Sequence, residues 1–84
     1  MTTVLLGDLN AHPDHPEVLL LAAAGVVDAF VSSGAPGSGF TYPSDDPYER
    51  IDYVWFSPDL KARDYSNPDS VASDHLAVAV TLYR

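Results

Sequence analysis

The chain has 84 residues, room for one small domain and no more. Apolar residues make up 46% of it, and 12 acidic against 4 basic side chains give a formal net charge of −8, so a core can form but the basic footprint of a nucleic-acid surface is missing. With no cysteine there is neither a disulfide nor a thiolate metal site, and the longest apolar stretch, Val18 to Val27, is only about half of a membrane span.

A chain this short buries only roughly 60–65% of its unfolded surface, so its stability margin is thin. The acidity has two readings: a generic soluble surface, or carboxylates gathered for a divalent cation. The start, Met1 to Gly7, has no basic segment and too short an apolar run for a signal peptide. A cytoplasmic protein without a membrane span is the expectation.

Thr3–Asp8 reads as a short buried strand, apolar and then abruptly polar. His12–Pro16, with two prolines and an aspartate, is loop chemistry. Pro16 suits the first position of a helix, where its missing N–H costs nothing, and Glu17 suits the positive helix end. Val18–Ala24 continues that helix and Gly25 ends it. The helix is apolar almost all round, which predicts cover on most sides. Val26–Val31 is a short apolar piece of undecided type, and Ser32–Gly39, rich in Ser, Gly and Pro, is a loop.

Phe40–Tyr42 is a candidate short strand ended by Pro43, and Asp45-Asp46-Pro47 marks a turn. Arg50–Phe56 is the clearest strand, with Ile, Tyr, Val, Trp and Phe, the types that fit a pleated surface. Ser57-Pro58-Asp59 ends it. Lys61–Ser70 is polar and turn-rich, with room for one edge strand. His75–Tyr83 alternates Leu76, Val78, Val80 and Leu82 against Ala77, Ala79, Thr81 and Tyr83, a second strong strand. The order predicts an α+β layer, one main helix on one mostly antiparallel sheet. One helix covers one sheet face. The other face would be apolar and bare, as in half of a sandwich.

Three segments place polar residues at strand ends: Gly7-Asp8-Leu9-Asn10, Arg50-Ile51-Asp52-Tyr53 and Ser73-Asp74-His75-Leu76. Strand alternation lets Asp8 and Asn10 share a face. Asp52 sits within a strong strand, where a carboxylate is costly unless paired. Converged at one sheet edge, three carboxylates, an amide and an imidazole hold a hard cation and polarise a phosphate. Each also has a structural reading. Asp8, Asn10 and Asp74 suit turns, Asp52 suits an ion pair with Arg50, and His75 suits a half-exposed strand. His12 and His15 read as a solvated loop before a helix, Glu49 as a surface ion pair beside Arg50, and Trp55 and Phe56 as core. Thr41 and Tyr42 suit either packing or the mouth of a site.

Taken in order, Gly7-Asp8-Leu9-Asn10, Gly39-Phe40-Thr41-Tyr42-Pro43, Arg50-Ile51-Asp52-Tyr53-Val54 and Ser73-Asp74-His75-Leu76-Ala77-Val78 resemble the motif set of the endonuclease/exonuclease/phosphatase (DNase I-like) family. The resemblance covers nearly the whole chain. It implies half of an α/β/β/α sandwich with the active site at one end. It implies a divalent-metal-dependent hydrolase of phosphoesters, using Mg²⁺ or Mn²⁺ and attacking phosphorus with water. The matching positions assign Asp8 to the attacking water and Asn10 to the phosphoryl group. They assign Asp74 to the metal, His75 to a phosphoryl oxygen, and Asp52 to orienting His75. The substrate class stays open among nucleic acid, phospholipid headgroup and small phosphate ester.

The resemblance is to the C-terminal half of that family. The N-terminal half, which brings a glutamate metal ligand, has no counterpart: Glu17 falls on the helix and Glu49 before a strand. Residues 1–84 therefore read as one partial domain, completed by a separate N-terminal half or by a second copy. The alternative is a non-catalytic half-domain that binds a partner through its uncovered sheet face.

Overall fold

The computed structural model describes residues 2–68 and 73–84. Strand β1 (Val4–Asp8) pairs antiparallel with β3 (Asp52–Phe56), and β3 pairs antiparallel with the two-residue β2 (Val27–Asp28). β3 is central because its sequence tolerates cover on both faces: Tyr53, Val54, Trp55 and Phe56 are all buried. A second antiparallel ladder joins β4 (Lys61–Ser66) to β5 (Ala79–Tyr83), with a register shift between Arg63 and Ser66 where Asp64 adopts φ 56°.

The helix α1 (Pro16–Ala23) starts as expected, with Pro16 in its first turn. Its cap is His15, whose Nδ1 accepts the Glu17 N–H at 3.2 Å. Gly25, at φ 96°, follows its end. The undecided segment after it divides in two. Val27–Asp28 is β2, and α2 (Ala29–Ser33) follows at once, capped by the Asp28 carboxylate on the Phe30 N–H. Gly34 ends α2 in the left-handed region, at φ 69°.

Antiparallel partners share a sheet face, so the register assigns the faces. Tyr53 and Trp55 lie on one face and pack with Ala11 and Val18 beneath α1. Val54 and Phe56 lie on the other, against Ala62, Val80 and Leu82 of the second ladder. The layers run helix, sheet, sheet. The α+β class, the antiparallel pairing and the half-sandwich all hold.

Several expectations change in detail. The face opposite α1 is covered in part by the β4–β5 ladder, so the bare surface is confined largely to β1, where Leu6 is 73% exposed. All five residues of β1 are exposed, because among the described residues it is a sheet edge with β3 as its one neighbour. Cover on most sides of α1 is not found: Val18 is buried, whereas Leu19 and Leu20 face solvent. Phe40–Tyr42 forms no strand, only a single bridge from Tyr42 to Glu49. The strand expected over His75–Tyr83 begins at Ala79, because the chain before it bonds to the 41–44 loop instead, the Leu76 N–H to the Thr41 carbonyl. Part of the polar stretch Lys61–Ser70 lies outside the described residues. Among the described residues no helix is long and apolar enough to cross a membrane.

The two ends of the sheet differ in charge, one acidic and the other mixed. At one end Asp8 faces Asp52 across the ladder. At the other, next to Phe56, Arg84 donates to the Thr2 hydroxyl, which itself donates to Asp59, and Lys61 starts β4 close by.

Candidate active site

β1 and β3 end together, and their terminal residues Asp8 and Asp52 are direct partners. Two like charges opposite one another destabilise a ladder unless something offsets them. Here the offset is His75. Its Nδ1 lies 2.7 Å from Asp52 Oδ2. A carboxylate only accepts, so the proton sits on Nδ1. The other ring nitrogen, Nε2, lies 3.7 Å from Asp8 Oδ2 and 4.0 Å from Asp74 Oδ1. The imidazole thus bridges the two carboxylates, hydrogen-bonded to one and facing the other across an open gap.

The hydrogen bond to Asp52 raises the pKa of His75 above the ordinary 6.5, and the charges of Asp8 and Asp74 add to that effect. Asp52 has a second donor. The fully buried Thr41 gives its hydroxyl to the same Oδ2 at 2.6 Å. Asp8 is held differently: its Oδ1 accepts the Asn10 N–H at 2.7 Å. Asn10 lies beyond the end of β1 at φ 51°, so a tight turn, not strand alternation, relates it to Asp8. Asn is among the residues that take this left-handed conformation most readily, which is what the tight turn needs.

Asp8, Asp52 and His75 each offer a ligand atom within 4.8 Å of the others. Asp74 stands at the rim, its side chain 74% exposed. The site therefore brings together Asp8, Asp52, His75 and, more loosely, Asp74. Among the described residues the Asn10 side chain makes no hydrogen bond to them.

This arrangement accompanies a match to the model of the Endonuclease/Exonuclease/phosphatase family over residues 1–75. The chain belongs to that family. No curated protein and no solved structure matches it. Family members act on phosphoesters and generally depend on a divalent metal, and the Asp8–Asp52–His75 group is a possible holder for one.

Beside the site the structure corrects two pairings. Arg50 turns away from both Asp52 and Glu49 and forms a two-pronged ion pair with Asp28, at 3.1 and 2.7 Å. Its guanidinium lies 4.8 Å from the Phe30 ring centre and 5.0 Å from that of Tyr53. Glu49 instead contacts His12 Nε2 at 3.2 Å. Neither His12 nor His15 joins the site, in keeping with their reading as loop residues. Tyr53, expected only as part of the Arg50–Phe56 strand, also ties the site's loop to that strand. Its hydroxyl points to the carbonyls of Ala11, at 2.7 Å, and Arg50, at 3.0 Å. Burial pushes its pKa up to about 12, against a partial lowering by Arg50.

Thr41 is the contributor whose role spacing left open. Nothing in Gly39-Phe40-Thr41 alone says that a hydroxyl meets Asp52. The usable signal is an unpaired-looking Asp in a buried strand, which demands a donor from elsewhere.

Proposed function

We propose that this chain supplies the C-terminal half of a metal-dependent phosphoester hydrolase of its family. One observation carries the reading: segments far apart in sequence bring Asp8, Asp52 and His75 to within 4.8 Å at one sheet end, in a chain that matches the family.

His75, with Nδ1–H committed to Asp52, presents Nε2 outward as the donor to a phosphoryl oxygen. Its raised pKa favours the imidazolium that this role needs. Asp8, 45% exposed and fixed by the Asn10 N–H, is placed to orient an attacking water and take its proton. Asn10, at the same turn, offers its carboxamide to the phosphoryl group.

The donor chemistry fits a hard cation. With Nδ1–H committed to Asp52 and Nε2 assigned to the phosphoryl oxygen, the ligands left for the ion are carboxylate oxygens, and Asp74 and Asp8 flank Nε2. Mg²⁺ is commonly held by one or two carboxylates together with water and substrate phosphate, and Mn²⁺ accepts the same donors. Asp74 is the residue we assign to hold it. When bound there, such an ion supplies neutralisation of the charge that builds on the phosphoryl oxygens. The glutamate ligand implied by the family resemblance is assigned to the complementary half, whether a separate segment or a second copy.

The test is hydrolysis of an activated phosphodiester by the purified chain with Mg²⁺ or Mn²⁺, beside Asp8→Ala and His75→Ala. The expected result is metal-dependent turnover once the complementary half is supplied, falling at least ~100-fold in each variant. A folded chain with no turnover above the variants, alone or with the complementary half added, would sink the hydrolase reading. The exposed apolar β1 favours a second reading in that event, a non-catalytic half-domain that binds a partner there.

A further inference from the structure

Residues 73–76 carry Asp74 and His75 but form no strand. What holds them is the segment 41–44. The Leu76 N–H donates to the Thr41 carbonyl at 2.7 Å, and the Ser44 N–H donates to the Asp74 carbonyl at 2.7 Å. The Ser44 hydroxyl donates to the Ser73 carbonyl at 2.8 Å. These bonds seat the histidine-bearing segment beside β3.

Thr41 does more than the other members of this seam. Its hydroxyl reaches Asp52 Oδ2 at 2.6 Å, the oxygen that His75 Nδ1 also uses. One fully buried residue therefore grips both partners of the Asp52–His75 pair, the carboxylate by its side chain and the histidine segment by its backbone. The Thr41 N–H is itself fixed by the Glu49 carbonyl at 2.8 Å, so the hydroxyl is aimed by a braced backbone. A Thr hydroxyl without an acceptor would be costly at this depth, as would an Asp52 oxygen short of a donor.

We infer that Thr41 is the positioning residue of the Asp52–His75 pair, setting the carboxylate rotamer that fixes the proton on Nδ1 and turns Nε2 toward the site. Its consequence for turnover rests on the hydrolase reading. Its consequence for the imidazole does not.

The experiment is nitrogen and proton NMR of the His75 ring in the full chain without divalent cation, for wild type, Thr41→Val and Thr41→Ser. Val matches Thr in shape and lacks the hydroxyl, whereas Ser restores it. In wild type the Nδ1–H proton is expected as a distinct, slowly exchanging signal. In Thr41→Val its exchange with water should rise about tenfold or more while far-ultraviolet circular dichroism stays unchanged. Thr41→Ser should return it to within about threefold of wild type. A folded Thr41→Val with an unchanged Nδ1–H signal, or a Ser variant no better than Val, overturns the assignment.

Should Val prevent folding, wild type still decides. A slowly exchanging Thr41 hydroxyl proton that is lost in Asp52→Ala supports the inference, and its absence from wild type overturns it. Hydrolysis measured on the same samples separates the two claims. An imidazole that responds in a chain without turnover upholds Thr41 and counts against the hydrolase alone.

Discussion

At the scale of single residues, the site is built by offsetting unfavourable placements. Asp8 opposite Asp52 is a repulsive pair, and His75 between them turns it into a bridge. This has a pH signature. The folded chain holds the His75 proton more tightly than the unfolded chain does, because Asp52 accepts from it. The stabilisation is complete below the ordinary value of 6.5 and is lost as pH climbs through the raised folded value. In urea unfolding without divalent cation, the midpoint gap between wild type and His75→Gln should be wider at about pH 5.5 than at about pH 8.5. A gap that stays constant or widens upward would contradict the Asp52–His75 contact. The ordered motifs singled out Asp8, Asn10, Asp52, Asp74 and His75 as a set, of which Asp8, Asp52 and His75 meet, with Asp74 at the rim and the Asn10 side chain apart. They did not reveal where Arg50 goes. Neighbouring charges at Glu49 and Asp52 suggested local pairs, but β3 directs Arg50 to Asp28, 22 positions earlier and at the start of α2. Such a choice is made by tertiary packing between two rings, which no local spacing encodes.

At the scale of elements, β3 and α1 were readable from their residue types, whereas the strictly alternating His75–Tyr83 becomes a strand only from Ala79. β3 and α1 fall within a residue or two of their expected bounds, because Tyr-Val-Trp-Phe and a proline-started apolar run each fit one structure. Val26–Val31 was ambiguous for the opposite reason. Six residues are too few to separate periods, and the division at Asp28 depends on one carboxylate that both caps α2 and pairs with Arg50. The uniform apolarity of α1 was misleading as a guide to burial within this chain. Val18 is 3% exposed and Leu20 is 67% exposed, although both are apolar. Truncation should separate them. Val18→Ala is expected to cost about 2 kcal/mol and Leu20→Ala less than about 0.5 kcal/mol in chemical denaturation of the isolated chain. Equal costs would mean that the outer side of α1 is covered in solution.

At the scale of the whole molecule, the layers stop short on the β1 side. Among the described residues β1 has one neighbour, and its outward backbone edge lies beside exposed Val4, Leu5 and Leu6. An unprotected, apolar edge strand is a template for pairing. The purified chain should therefore sediment with a mass that rises with concentration. Leu6→Lys, a charge on the most exposed β1 residue, should shift it toward monomer. A wild-type chain that stays monomeric at high concentration would show that β1 is not sticky enough to recruit anything. The same edge was only half legible in the sequence. A bare sheet face was foreseeable from a single main helix, but its restriction to one strand follows from the β4–β5 ladder folding back over the rest.

The difference in charge along the sheet has a consequence of its own. With Asp8, Asp52 and Asp74 gathered at one end and Lys61 and Arg84 beside Asp59 at the other, the candidate site sits at the more acidic end of a chain of net charge −8. Near a cationic surface it would turn that acidic end first, presenting the candidate site. Divalent cations drawn to that end would weaken the orientation, so immobilising the chain on a cationic support would hide its site, whereas tethering through Arg84 would leave the site turned toward solution.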